Sequence, residues 1–380
     1  MLYLALLPVL IWLYLLLARG GFWRVGRLLS TDSAAPGAGA RVVAVIPARN
    51  EAAVVAMAVQ SLLAQQYAGA LHVIVVDDAS TDGTGEVVRA AAAQAGAADR
   101  VTVLRGAGPD PGWSGKVCAM ARGVAAAEPL QPDFLLFTDA DIRHEPDNVA
   151  HLVGNARGLG TDLLSSMVEL TVSNGAERWL IPAFVFFFLK LYPPAWIARD
   201  GDATAGAAGG CMLVRPAALA RAGGLAAIRG QIIDDCSLAR SIKRAGGRVR
   251  LGLTHRAHSL RPYGCAAEIG RMISRTAFNQ LRHSWLLLLG TLVGLVLTYL
   301  LPPLLLVSGS PALVLAGAGA WALMSVCYAP MVRFYRLNPL WTLTLPAAAA
   351  FYAGATVISA WQYQAGRGGQ WKGRAQDSAG

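Results

Sequence analysis

The sequence predicts an α/β domain with a mostly parallel, helix-covered sheet, joined to membrane-spanning helices. Three observations predict it. From residue 41 onward, short apolar runs of strand length alternate with helix-length amphipathic ones. Three of those apolar runs end in polar or acidic clusters. Long stretches without charge lie toward both ends of the chain, as a bilayer requires.

The first strand is "RVVAVIP", followed by the helix "EAAVVAMAVQSLLAQ" with apolar residues at helical spacing. "LHVIVVDD" is the second strand; the turn "ASTDGT" leads into a helix that ends in the Ala-rich 90–99. "VTVLRG" is the third, then a Gly/Pro loop and a helix from about Gly115 to Ala127. "DFLLFTDAD" is the fourth, and Pro146 opens another helix. Further on, "AGGCMLVRP" is a Gly-led strand and "IDDCSLARSIKRAG" a helix with acids in its first turn. Near-continuous apolar strands in βαβα order imply a sheet covered on both faces. Ligands of such sheets bind beyond the carboxyl ends of the strands. "PARNE", "DDASTDGT" and "TDAD" stand at those ends, so three polar clusters converge on one rim. A single acidic turn reads as a helix cap or a solvated loop; three at strand ends read as a site.

The chain has 380 residues, 55% hydrophobic and 15% charged, too apolar for a purely soluble protein. Residues 1–17, 284–332 and 337–366 carry no charge apart from the boundaries. With about 20 apolar residues needed per crossing, we read an anchor at 2–18, a hairpin of spans at 285–307 and 312–332, and a fourth span at 340–362 interrupted by Pro346. The first segment has no basic residue before its apolar run and no A-x-A-like cleavage site, so it reads as an anchor and not a signal peptide. Arg19, Arg24 and Arg27 follow it, which places its start outside and 20–284 in the cytoplasm; Arg282, Arg333 and Arg336 agree. Arg367, Lys372 and Arg374 in the tail run against that rule. The apolar, aromatic 177–196 and the amphipathic helix 266–283 read as interfacial segments.

Five cysteines without a CxxC pair fit reduced thiols, neither a disulfide framework nor a zinc site. The net charge of +10 is concentrated partly in 240–261. Anionic lipid, a phosphorylated substrate and nucleic acid would each attract it; beside membrane spans lipid is the expected partner and nucleic acid is not.

The rim residues suit transfer from a nucleotide-sugar. A donor diphosphate takes a divalent cation, held by few carboxylates and completed by phosphate oxygens and water. Asp139 and Asp141, alternate side chains at a strand end, offer that pair. Asp78 ends the second strand, where a carboxylate accepts from a base N–H or a ribose hydroxyl; no G-x-G-x-x-G follows the first strand, so a dinucleotide site is not expected. In "GWSGK", Gly112 and Gly115 permit close backbone approach and Lys116 pairs with phosphate. Asp234 and Asp235 are adjacent acids at a helix start; their repulsion raises one pKa toward that of a useful base, with helix capping as the competing reading. One base and an assisted leaving group imply direct displacement with inversion.

The ordered set "VIPARNE", "VVDDASTDGT", "GWSGK", "TDAD", "GGCMLVRP" and "IDD" resembles a family 2 glycosyltransferase of the GT-A fold. More narrowly, "PAFVFFFLKLYPP", "AAGGCMLVRP", "IRGQIIDDCSLAR" and "RTAFNQLRHS" are similar to the hopene-associated glycosyltransferases of bacterial hopanoid gene clusters. The resemblance implies nucleoside contacts from Pro47, Asn50, Glu51 and Asp78, with Lys116 near the donor, Asp139 and Asp141 on metal or diphosphate, and Asp235 as base with Asp234 beside it. It also implies a UDP-sugar donor with Mg or Mn, and a lipid acceptor of hopanoid class. The sequence departs from many relatives in having no Q/R-x-x-R-W after the base, which speaks against processive polymer synthesis and leaves the product-side diphosphate contact to Arg271 or Arg275.

The expected layout is an anchor with basic flank (1–29), a linker (30–40), a cytoplasmic catalytic domain (41–265, with 177–196 interfacial), an amphipathic helix (266–284), about three spans (285–363) and a polar tail (364–380). Two other readings compete with a transferase. A glycoside hydrolase also uses two carboxylates but needs neither a metal pair nor a nucleoside rim. An inactive membrane scaffold has no reason to keep clustered like charges.

Overall fold

The structure, a computed structural model, describes residues 2–25 and 39–366 together with two short strands, Gln370–Trp371 and Arg374–Ala375. The expected linker, apart from residues 39–40, and most of the expected tail lie outside the described residues, as does Arg27. The described chain forms two compact units, one over 39–170 and 196–261, the other over 2–25, 171–195 and 262–366.

The first unit is an α/β sheet of eight strands: β1 (Val42–Ala48), β2 (Leu71–Asp78), β3 (Val101–Gly106), β4 (Phe134–Thr138), β5 (Ile142–His144), β6 (Leu163–Glu169), β7 (Cys211–Val214) and β8 (Val249–Ser259). Their order is β3-β2-β1-β4-β7-β6-β8-β5. Every residue of β1 and of β4 is buried, as β-branched and aromatic runs covered on both faces require. The first four strands are mutually parallel, with Val42 opposite both Leu71 and Phe134. The chain leaves β1 on one side, builds β2 and β3 outward, and returns to β4 on the other side. That reversal opens a crevice at the carboxyl ends of β1 and β4, the usual ligand position in such sheets.

The sheet is mostly parallel, as expected, with two antiparallel strands, β7 and β5. β7 enters antiparallel between β4 and β6, pairing Cys211 with Thr138. Because it runs backward, its start lies at the carboxyl end of β4, which brings Gly209 and Gly210 to the rim. β8 is parallel to β6, so it too ends on that rim.

The helix Gly115–Ala127 has the bounds the sequence predicts. It lies against the centre of the sheet through Gly123, where an added Cβ would fall 2.3 Å from Val45 Cγ1.

In the second unit, Gly175–Ile197, Trp285–Leu305, Pro311–Phe334 and Pro339–Gln364 are long and apolar enough to cross a membrane. The first of these includes the stretch expected to lie in the interface. The N-terminal helix Leu2–Leu17 is shorter, at 16 residues. Pro346, expected to interrupt the last span, sits in the first turn of the helix Leu345–Gln364, where its missing N–H is not needed. The amphipathic helix expected over 266–283 is two helices, Ala266–Ser274 and Ala277–Gln280, parted at Thr276, whose φ of −128° is not helical. A π-turn at Val296–Leu300 precedes Pro302, which cannot donate to the Thr298 carbonyl; the buried Trp12 indole donates to it at 2.8 Å instead.

The Gly123 contact is a direct test of the sheet packing. Gly123→Ala forces a methyl into the Val45 side chain, and the expected loss is about 1–3 kcal/mol in unfolding free energy. Chemical denaturation of the purified protein measures it.

Candidate active site

β1 and β4 pair only as far as Val45 and Phe137. Pro47 falls beyond that last pair, so its missing N–H leaves no gap in the β1–β4 ladder. The segment after it is laced to the loop after β2. Asn50 takes the left-handed region at φ 51°, accepts from the Thr81 N–H at 2.9 Å, and donates its own N–H to Ser80 Oγ at 3.0 Å. Glu51 N–H donates to Thr84 Oγ1 at 2.9 Å and Ala52 N–H to Asp82 Oδ2 at 3.0 Å. Arg49 Nη1 donates to the Asp78 carbonyl at 2.8 Å. The "PARNE" and "DDASTDGT" clusters thus form one platform.

Asp77 Oδ1 accepts from the Ser80 N–H at 3.0 Å and shapes the turn. The Asp78 side chain has no exposed surface, and its Oδ1 lies 4.0 Å from Arg122 Nη1. The adjacent cavity, about 550 Å³, is lined by Ala79, Ser80, Thr81, Arg105, Gly106 and Ala107. Its polar side chains are Ser80, Thr81 and Arg105.

Across the crevice, Thr138 holds the "TDAD" turn. Its Oγ1 donates to the Gly210 carbonyl at 2.9 Å and meets His144 Nε2 at 3.0 Å, while Asn148 Nδ2 meets His144 Nδ1 at 2.7 Å. An amide donating to Nδ1 leaves the proton on Nε2. Burial, helped by the charge of His258, pushes the His144 pKa down to about 4, so the ring is neutral and the relay runs in one direction. Sequence reasoning missed His144; its Asn148 partner at i+4 was the available signal.

Lys116, in the first turn of its helix, joins the two acidic pairs. Its Nζ is 2.9 Å from Asp139 Oδ1 and 3.4 Å from Asp234 Oδ2. Burial works against the ammonium, but Asp139, Asp234 and Asp235 outweigh it and hold its pKa well above the usual lysine range. Asp235 Oδ2 accepts from the Gly209 N–H at 2.9 Å, and Oδ1 from the Cys236 N–H at 2.7 Å. Burial and the neighbouring Asp234 charge push the Asp235 carboxyl up to about 6, against the pull of Lys116 and the two N–H donors. Gly209 is required here: a Cβ would lie 3.2 Å from Lys116 Nζ and 3.4 Å from Asp235 Oδ2.

Asp141 has a partner that its local sequence does not reveal. Arg261 Nε donates to Asp141 Oδ2 at 2.9 Å, and Nη2 donates to Glu51 Oε1 and Oε2 at 2.9 and 2.6 Å. β5 pairs with β8 so that Ile142 faces Ser259, and the Leu260 N–H donates to the Asp141 carbonyl at 2.7 Å. That register delivers residue 261 to the acids. In the sequence it was only the last member of a basic stretch. Arg271 and Arg275, the expected candidates for a diphosphate contact, belong to the other unit.

Asp139 and Asp141 fit a divalent cation. Two carboxylates are what Mg²⁺ or Mn²⁺ takes from a protein when phosphate oxygens complete the shell. Both keep some exposure on the rim, 35% and 19% of their side chains. Among the described residues no group of three or more His, Cys, Asp and Glu forms a self-sufficient metal cage. The donor set therefore suits a cation that arrives with a phosphate ligand.

Residues 43–223 match the family model described as glycosyl transferase family 2. No curated protein matches the chain. Among solved structures, the mannosyltransferase PcManGT from Pyrobaculum calidifontis, in complex with GDP-Man and Mn²⁺, is 19% identical, with 94% of this chain and 95% of that one covered and a TM-score of 0.55. Glucosyl-3-phosphoglycerate synthase from Mycobacterium tuberculosis, in complex with Mg²⁺ and UDP, is 20% identical over 66% of this chain and 82% of that one, with a TM-score of 0.42. The first likeness is one of fold. Residues 43–223 thus match the glycosyl transferase family 2 model, and the sheet that carries them, with its crevice at the β1–β4 reversal, is GT-A-like in fold.

Proposed function

We propose that the chain is a membrane-bound, inverting glycosyltransferase that moves one sugar from a nucleoside-diphosphate sugar to a lipid hydroxyl. The observation that carries it is the Lys116 ammonium between Asp139 and Asp234, which joins a carboxylate pair suited to a metal–diphosphate with a pair suited to a base. The ligands of the P. calidifontis enzyme, GDP-Man and Mn²⁺, support a donor of this class. A hopanoid acceptor rests on the sequence resemblance.

In this reading the platform of Pro47, Asn50, Glu51 and the 79–81 loop receives the nucleoside, with Asp78 beneath it. Asp139 and Asp141 would hold a divalent cation, which when bound would supply Lewis-acid neutralisation of the departing diphosphate. Lys116 keeps Asp139 and Asp234 oriented while remaining charged. Asp234 is engaged with that ammonium, which leaves Asp235 to take the proton from the attacking hydroxyl. Its two backbone donors aim the carboxylate, and a pKa near 6 leaves it ionised yet basic at neutral pH. Attack by the activated hydroxyl opposite the departing diphosphate inverts the anomeric centre. The apolar helices hold the protein in a bilayer, and the basic residues flanking them (Arg19, Arg24, Arg282, Arg333 and Arg336) favour a cytoplasmic face for the transfer.

Three outcomes are expected. Thermal unfolding of the detergent-purified protein rises with UDP or GDP plus Mn²⁺, not with EDTA, and Asp141→Ala abolishes the shift; absence of a shift with every nucleotide sinks the donor site. The pH profile of kcat/KM is flat above about 6 and falls about tenfold per pH unit below it; Lys116→Met, which removes the charge that holds Asp235 down, moves any residual profile to higher pH. Finally, the raised carboxyl favours the folded state while protonated, and that contribution is lost as pH rises from about 4 to 6. The stability of Asp235→Asn relative to wild type therefore increases by up to about 3 kcal/mol across that window and is level above it.

A further inference from the structure

Arg261 holds Asp141 through one nitrogen and Glu51 through another, and those two acids come from turns 90 residues apart in the chain. We infer that Arg261 is an internal counter-ion for the cation site: it occupies Asp141 in the nucleotide-free protein and yields it when a metal–nucleotide complex enters, which makes tight metal binding depend on nucleotide. The inference rests on the reading of Asp139 and Asp141 as the metal-holding pair.

The geometry supports an exchange. Asp141 Oδ2 directs its charge at Arg261 Nε, 2.9 Å away. A dication on that oxygen would face a guanidinium a few ångströms off, and at such range two like charges repel strongly even at a surface-like dielectric. Both cannot occupy Asp141 without added negative charge, and the donor's two phosphates bring it. The backbone need not move. The Leu260 N–H is fixed on the Asp141 carbonyl at 2.7 Å, and the β5–β8 register fixes the approach. The side chain has room, because Arg261 is 41% exposed whereas Glu51 is 11% exposed. Since Nε serves Asp141 and Nη2 serves Glu51, the first contact can be released while the second is retained. Lys116, on Asp139 and Asp234, is only 19% exposed and has less room to withdraw than Arg261.

The test is Mn²⁺ titration of the full-length protein in detergent, reading the free aqua ion by electron paramagnetic resonance, with and without UDP or GDP. Without nucleotide, Arg261→Gln is expected to bind Mn²⁺ about tenfold more tightly than wild type. With nucleotide, the two are expected to agree within about threefold. If Arg261 only cross-linked the two turns, its loss would loosen Asp141, and Mn²⁺ affinity without nucleotide would be unchanged or weaker; that result overturns the inference. Should Arg261→Gln not fold, Arg261→Lys serves. Its ammonium cannot span both acids, so a gain of about threefold is expected and no gain overturns the inference equally. Equal Mn²⁺ binding by wild type and Asp141→Asn in the presence of nucleotide would instead discredit the metal reading itself, whatever Arg261 does.

Discussion

Five carboxylates, Glu51, Asp139, Asp141, Asp234 and Asp235, share one rim of the sheet, and two cations make that crowding stable. Lys116 bridges Asp139 to Asp234, and Arg261 bridges Asp141 to Glu51. Without them, like charges in a partly desolvated crevice would protonate or force the turns apart. The pKa pattern follows from the same crowding. Lys116 is kept charged by three acids against its burial, and Asp235 is pushed up by its own burial and by the neighbouring Asp234, with Lys116 pulling the other way. A site built this way concentrates negative charge at the rim while raising the pKa of one carboxyl to about 6.

Small residues and strand direction set the distances. Gly209 admits Lys116 and Asp235 to the same spot, and Gly123 lets the helix that carries Lys116 lie close to β1. β7 runs backward beside β4, so its leading glycines meet the "TDAD" turn and are bound to it through Thr138. The neutral His144 behind that turn fixes the direction of the hydrogen bonds without adding charge to an already charged rim. In the apolar unit, Pro302 removes a backbone donor and the Trp12 indole replaces it, so two distant helices are joined by one repaired carbonyl.

Much of this was legible in the sequence. Apolar runs ending in "PARNE", "DDASTDGT" and "TDAD" are local patterns, and parallel βαβ connectivity places such ends on one rim. The helix at Gly115–Ala127 and the one opened by Asp234 were likewise readable, because glycine entry and first-turn acids are local signals. The three C-terminal apolar helices follow from length and the absence of charge alone. The break at Thr276 was not readable, since amphipathic spacing continues through it.

The sequence by itself determined the α/β class, the polar strand ends and the apolar helices, because each depends on residues within one element. The tertiary structure decided the rest. An antiparallel β7 cannot be read from strand order, so the role of Gly209 could not be. That the Asp78 side chain is fully buried, with Arg122 4.0 Å away, is likewise a product of packing. Arg261 appeared to be one arginine in a basic stretch; strand register, a relation between segments more than a hundred residues apart, made it the partner of Asp141. Charge pairing at this rim is a matter of distance in space, and only the folded chain sets that distance.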